Sequence, residues 1–247
     1  MFGKFLEVSL HTGDIAASVQ FYERLGFSQL TTGDTWTHPY GVLSDGRVCI
    51  GLHQRIATPA RYAVPARSPV LSFVRPDLVR HLADLRATGF LPLHEHLGDG
   101  DFHTVHFEDP LGQAVTLLEA RTFSPPRGDF KGSLCGWFSA FSMPAASASA
   151  VQEFWERAGF VALETNDDPL AHTALTSDSL TLTLHQPRVL GAAALVFADP
   201  KMSERIEQLA AKGVPISNTL PAELSRQDNA LLEAPEGTLL LLLSSEI

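Results

Sequence analysis

Glu7 is the residue whose type and place most suggest chemistry. It stands on a segment that is otherwise apolar: Phe5, Leu6, Val8 and Leu10. A carboxylate there must be solvated, paired or shifted in pKa. Three roles follow: a general base moving a proton next to a carbonyl, a binding carboxylate for a cationic ligand, or a salt bridge to a nearby Arg. Side chains on a strand alternate between faces, so Glu7, Ser9 and His11 share one side. Eight of the ten histidines lie in the first half of the chain, which concentrates polar chemistry there. His94-Glu95-His96 is expected in a solvated loop, and His81 on an exposed helix face. His103 and His106 fall on opposite faces of a strand, so at most one of them enters a shared site. No Ser-His-Asp or Cys-His order has a recognisable local motif, and Gly98-Asp99-Gly100 is expected as a turn and not a phosphate loop. Trp36, Tyr40, Trp137 and Phe141 are candidates to line an apolar pocket, against the commoner fate of core packing.

The elements that would position these residues occur twice. Phe21 and Gly26 in Phe-Tyr-Glu-Arg-Leu-Gly-Phe recur as Phe154 and Gly159 in Phe-Trp-Glu-Arg-Ala-Gly-Phe. Leu52-His53-Gln54 recurs as Leu184-His185-Gln186, Leu85 and Gly89 as Leu209 and Gly213, and Asp109-Pro110-Leu111-Gly112 as Ala234-Pro235-Glu236-Gly237. Four matches in one order indicate duplication. The later spacings shrink, which places a deletion in the second copy between Gln186 and Pro200, opposite Arg55 to Arg67. The domains are expected at 1–123 and 130–247, joined by a Pro- and Gly-rich linker over 124–129.

Within the first copy, Phe5 to His11 alternates as a strand, and Asp14 caps a helix that carries Ile15, Val19, Tyr22 and Leu25 and stops at Gly26. Val42 to Leu52 forms a hairpin around Ser44-Asp45-Gly46. A strand over Pro69 to Val74, a helix from Pro76 to Thr88, and a last hairpin turning at Asp109 to Gly112 complete the copy. The predicted class is α+β, with paired strand–helix–strands units.

The chain has 247 residues and a formal charge of −10, from 18 basic and 28 acidic side chains. That balance argues against nucleic acid or an anionic membrane as the partner. Cys49 and Cys135 are too few for a disulfide framework and are expected as buried thiols in a reducing compartment. The run Leu239 to Leu243 is too short to span a bilayer, and the segment Met1 to Phe5 lacks the pattern of a signal peptide. A cytoplasmic protein is expected, monomeric or homodimeric.

The opening Gly13-Asp14-Ile15 to Leu25-Gly26-Phe27 and the closing Phe107-Glu108-Asp109-Pro110-Leu111-Gly112 resemble the two signatures of the vicinal oxygen chelate superfamily. That group includes glyoxalase I, extradiol dioxygenases and bleomycin-resistance proteins. The resemblance covers both copies and implies tandem domains, each of paired βαβββ units whose mixed sheet curls into a cup with helices outside. It also implies where a divalent metal would be held in metal-using relatives. Those positions are Glu7, Gly51, Pro69 to within one residue, and Thr116; in the second copy they are Ala140, Thr183, Ala193 and Leu241. Glu119 lies three residues beyond Thr116 with opposite strand parity. One carboxylate is no site for a hard divalent ion, so no cofactor is predicted. A remodelled site of Glu7, His11 and His53 is the remaining route to a metal, because His53 shares parity with Gly51. The competing reading has His53, like His185, bonding a neighbouring loop.

The resemblance therefore implies a metal-independent binder of a small organic ligand, related to the bleomycin-resistance branch. The ligand would sit in the first cup or at the domain interface, on Glu7, His11, Trp36, Tyr40, His53 and Thr116. The alternative is a lyase, isomerase or dioxygenase acting on a small oxygenated substrate, with Glu7 catalytic. The second copy is expected to be a degenerate domain that serves as scaffold.

Overall fold

The computed structural model describes residues 2–32, 38–55, 69–98, 103–120, 130–167 and 169–245. The expected linker over 124–129 and Trp36 lie outside the described residues. In the first domain the elements are β1 (Lys4–Thr12), α1 (Ile15–Arg24), β2 (Ser28–Leu30), β3 (Tyr40–Ser44), β4 (Cys49–Gln54), β5 (Val70–Arg75), α2 (Leu78–Ala87), β6 (His94–His96), β7 (Thr104–Glu108) and β8 (Ala114–Glu119). The second domain has β9 (Trp137–Pro144), α3 (Ser149–Ala158), β10 (Val161–Ala162), β11 (His172–Thr176), β12 (Thr181–His185), β13 (Ala194–Ala198), α4 (Met202–Ala211), β14 (Ala230–Glu233) and β15 (Leu239–Leu243).

The strands form one mixed sheet per domain, ordered β2-β3-β4-β1-β5-β8-β7-β6 and β10-β11-β12-β9-β13-β15-β14. Each sheet is two strand–helix–strands units joined through antiparallel β1–β5 or β9–β13. The outer pairs β1–β4 and β5–β8 are parallel. This is the α+β arrangement of paired units expected from the sequence.

Local chemistry sets the helix ends. The Asp14 carboxylate accepts the Ala17 amide at 3.1 Å, and Gly26 leaves α1 with φ 98°. A left-handed residue is what ends a helix, and glycine takes it without strain. The α2 helix begins differently. Asp77 is itself left-handed (φ 52°) and caps nothing; the Leu78 amide donates to Glu119 on β8 at 2.9 Å instead. Glu119 also pairs with His103, so it serves a helix end and not a cup.

His94-Glu95-His96 is strand β6 at the sheet edge, where a loop was expected. Its Glu95 pairs with Arg86. His81 is half-buried beside Asp84 and not fully exposed.

The convex faces of the two sheets share one apolar core, and the helices lie within it. Phe2 illustrates the sharing: its ring meets Phe73 and Phe107 of its own domain, and Phe154 and Trp155 of α3. Polar links cross the same boundary reciprocally. Trp155 Nε1 donates to Asp109 Oδ2 at 3.0 Å, and Tyr22 Oη donates to Glu236 Oε1 at 2.7 Å. Tyr22 and Trp155 are repeat partners, and each reaches the closing turn of the other domain. Burial raises the Asp109 pKa, and its Oδ1 also accepts the Leu111 and Gln113 amides.

Trp155→Phe removes the indole donor and leaves the Asp109 carboxylate buried and short of one bond. The expected loss is about 1–3 kcal/mol, seen as a lower urea midpoint with an unchanged slope.

Candidate functional site

The registers define which residues meet at the bottom of each cup. In the first domain Ser9 pairs with Gly51 and Val70, and Ser72 pairs with Thr116 and Glu7. A local twofold relates β1 to β5, so Glu7, Gly51, Val70 and Thr116 surround the axis. The third position is thus Val70, one residue from Pro69, because Pro69 has the opposite parity. By the same registers the second cup presents Ala140, Thr183, Ala194 and Leu241. Ala194 replaces Ala193 there for the same reason.

In the first cup the Glu7 carboxylate is buried, 3% exposed, and its partners are hydroxyls. Oε1 accepts from Ser9 at 2.8 Å and Oε2 from Tyr40 at 2.7 Å, while His53 Nε2 stands 3.7 Å from Oε1. No arginine takes the part of the expected salt-bridge partner among these contacts. Gly51 is what makes room: a Cβ there would stand 2.0 Å from Glu7 Oε1. Ser9 continues the chain to Ser72 at 2.8 Å, and His53 Nδ1 meets His38 Nε2 at 2.9 Å. The expectation that His53 and His185 bond neighbouring loops holds, since His38 precedes β3 and His185 meets Leu190.

His11 sits beside His53, ring centroids 5.9 Å apart. Burial first, then the neighbouring His53, Arg55 and His38, push the His11 pKa down to about 4. Burial and His53 lower His38 as well. Burial and the Glu7 charge push the Tyr40 pKa up, which keeps its hydroxyl a donor. On the far side of the cup Thr116 meets His106 Nδ1 at 2.8 Å, and burial with His94 takes His106 down to about 4. Cys49 is half-buried on β4, its pKa raised by burial to about 11, which suits no nucleophile.

Of the expected ligand-binding set, Glu7, Tyr40 and His53 are joined directly. His11 borders them, Thr116 lies across the sheet, and Trp36 is outside the described residues. No group of three His, Cys, Asp or Glu that could hold a metal ion is found among the described residues, so Glu7, His11 and His53 do not form one. At the cup bottoms the donor set is one carboxylate against Gly51, Val70 and Thr116, and none in the second domain. The described residues at these positions do not fit a divalent metal.

The second cup holds a cavity of about 380 Å3. Sequence reasoning placed no site there. Ala140, Thr183 and Leu241 line it, with Ser142, His185 and Val196. The described lining residues include no Lys, Arg, Asp or Glu. Trp137, a pocket candidate, borders it and stacks under Arg47, whereas Phe141 is core. A second cavity of about 490 Å3 lies between the domains, with Arg55, Gln113 and Glu236 on its walls. The legible signal for the second cup was the repeat itself: the partners of Glu7, Ser72, His106 and Thr116 are Ala140, Val196, Leu231 and Leu241. The carboxylate, two hydroxyls and one imidazole of the first cup are aliphatic in the second, which keeps Ser142 and His185 and carries Thr183 in place of Gly51.

No protein-family model matches the sequence, and neither does the sequence of any curated protein. Solved structures do match. A 2,3-dioxygenase from Pseudomonas sp. KL28 superposes with a TM-score of 0.61 at 14% identity, covering 99% of this chain and 92% of that one. A variant of 4-hydroxymandelate synthase from Streptomyces coelicolor gives 0.62 at 15% identity, covering 99% and 94%. A variant of homoprotocatechuate 2,3-dioxygenase from B. fuscum gives 0.62 at 14% identity, covering 99% and 72%. The chain therefore has the vicinal oxygen chelate fold in its tandem, two-domain form. No helix among the described residues is long and apolar enough to cross a membrane.

His11 and His106 set a pH dependence of stability. Both bind a proton less readily when folded than when unfolded, so the unfolded chain takes up more protons between pH 6.5 and about 4. Stability should be full above pH 6.5 and fall through that window. Urea titrations at several pH values check this, and His106→Gln should flatten the slope.

Proposed function

We propose that this protein is a metal-independent binder of a small, neutral, largely apolar organic molecule, held in the cup of the second domain. One observation carries the reading: of the four central positions of that cup, Ala140, Thr183, Ala194 and Leu241, all but Ala194 line a cavity of about 380 Å3 with no charged described lining residue. An apolar cavity of about 150 Å3 is enough for benzene, so this one admits a ring with substituents. The choice of the second cup over the first follows from what fills each. Glu7 occupies the middle of the first cup, and its counterpart Ala140 leaves the middle of the second open.

Binding should raise the melting temperature of the untagged protein in a screen of neutral aromatic compounds. Ala140→Leu places a larger side chain in the cavity and should weaken binding at least tenfold with the fold retained by circular dichroism. Elemental analysis after loading with Mn, Fe, Co, Ni or Zn should show no stoichiometric metal; one bound ion per chain would overturn the reading.

The second reading is catalysis on a small oxygenated substrate. It is supported by the likeness of the whole chain to dioxygenases and a synthase, and by the first cup. A buried carboxylate with an imidazole 3.7 Å away has the make-up of an acid–base pair for proton removal next to a carbonyl. If it holds, Glu7→Gln lowers turnover about a hundredfold or more and leaves binding in the second cup unchanged. Oxygen uptake and product formation with each ligand from the screen decide between the readings.

A further inference from the structure

Two hydrogen bonds of His185 restrict what a ligand can meet at Ser142, in a cup whose other polar lining residues include Asn166, His172 and Thr183. His185 Nε2 lies 2.8 Å from the Leu190 carbonyl oxygen, and His185 Nδ1 lies 2.7 Å from Ser142 Oγ. A carbonyl only accepts, so Nε2 carries the proton of that contact. Burial lowers the His185 pKa and keeps the ring neutral, so Nδ1 is a bare lone pair. Ser142 has one hydroxyl proton, and it is committed to Nδ1. What the Ser142 oxygen still offers the cavity is acceptor capacity alone.

The same side chain has a different life in the first cup. Its repeat partner Ser9 bonds Glu7 and Ser72. In the second cup those two positions are Ala140 and Val196, so both partners are gone and Ser142 is left lining the cavity at 6% exposure. Thr183 is its direct register neighbour on β12 and lines the same cavity, also nearly buried. A threonine hydroxyl can donate as well as accept.

We propose that Ser142 and Thr183 form a hydroxyl-recognition pair, and that the ligand of the second cup is a neutral, apolar-bodied molecule bearing a hydroxyl group. The ligand hydroxyl donates to Ser142 Oγ and accepts from Thr183 Oγ1. Ethers and ketones bring an acceptor to an acceptor at Ser142 and supply no donor to that oxygen, whose own proton stays on His185. Anions are disfavoured because no described lining residue is cationic. Ser142 is thus the specificity-determining residue, and His185 acts through it by fixing the direction of its proton. This rests on the proposed binding in the second cup.

The test uses 2-naphthol and its methyl ether, 2-methoxynaphthalene, which share an apolar body and differ in the donor. With the full-length wild type at neutral pH, titration should give about tenfold tighter binding for the naphthol. Ser142→Ala should remove that preference by weakening the naphthol while sparing the ether. Equal affinities in the wild type, or a preference for the ether, overturn the hydroxyl pair and leave cavity binding standing. Binding of both probes that Ala140→Leu does not weaken, or binding of neither, overturns the cavity reading and this inference together. The wild-type comparison needs no variant, so it holds even if Ser142→Ala misfolds.

Discussion

The apolar core behind the two sheets is the constraint on which the rest depends. Neither sheet has a solvent-facing back. The convex side of each domain is covered by helices and by the other domain, and Phe2, Phe73, Phe107, Phe154 and Trp155 belong to one cluster. Once the convex face of a strand is assigned to that core, the period of two assigns its neighbours to the cup. Phe5, Val8 and Leu10 go inward, and Glu7, Ser9 and His11 are forced onto the concave face. The irregular register between Phe5 and Glu7 is where β1 adjusts its parity to do both. Trp155 with Asp109 and Tyr22 with Glu236 then hold the two domains with the directionality that an apolar contact lacks.

Because the core is secured on the convex side, the concave faces are free to diverge. In the first cup Glu7 leans into the space left by Gly51 and is held there by Tyr40 and Ser9. The second cup keeps the frame and drops the carboxylate, while Ser142, Thr183 and His185 stay polar. Ala140 in place of Glu7 removes volume and a carboxylate at once, and Val196, Leu190 and Leu241 add apolar wall. A large cavity in a domain with so secure a back costs less than one in the core, since the side chains around it pack on their other side.

Much of this was legible in the sequence. The repeats were visible because Gly26, Gly89, Gly159 and Gly213 each end a helix in a left-handed conformation, a demand that survives when surrounding residues drift. The positions around each cup axis were legible from parity to within one residue, Val70 for Pro69. The edge strand β6 was missed because His94-Glu95-His96 has no apolar alternation; a three-residue edge strand needs only a partner in β7. The cavity was missed for a deeper reason. Leu239 to Leu243 and Ala192 to Ala194 have the composition of core, and aliphatic residues around a cavity look the same in sequence as aliphatic residues packed solid. Only the register, with the cavity above it, shows that Ala140, Thr183 and Leu241 border open space.

The polarity of the second cup has a similar origin. Ser142 and His185 are unremarkable residues on ordinary strands, and their repeat partners do different work in the first cup. What gives them direction is the Leu190 carbonyl, a backbone group in the loop after β12 that no side-chain pattern reports. It accepts the Nε2–H hydrogen bond, which leaves Nδ1 to accept the serine's O–H. A single backbone acceptor, five residues along the chain from His185, thereby decides which end of a hydrogen bond the cavity offers. The two cups of one fold thus hold opposite chemistry, one a charged group compensated from within, the other an uncharged site with an acceptor still to be matched.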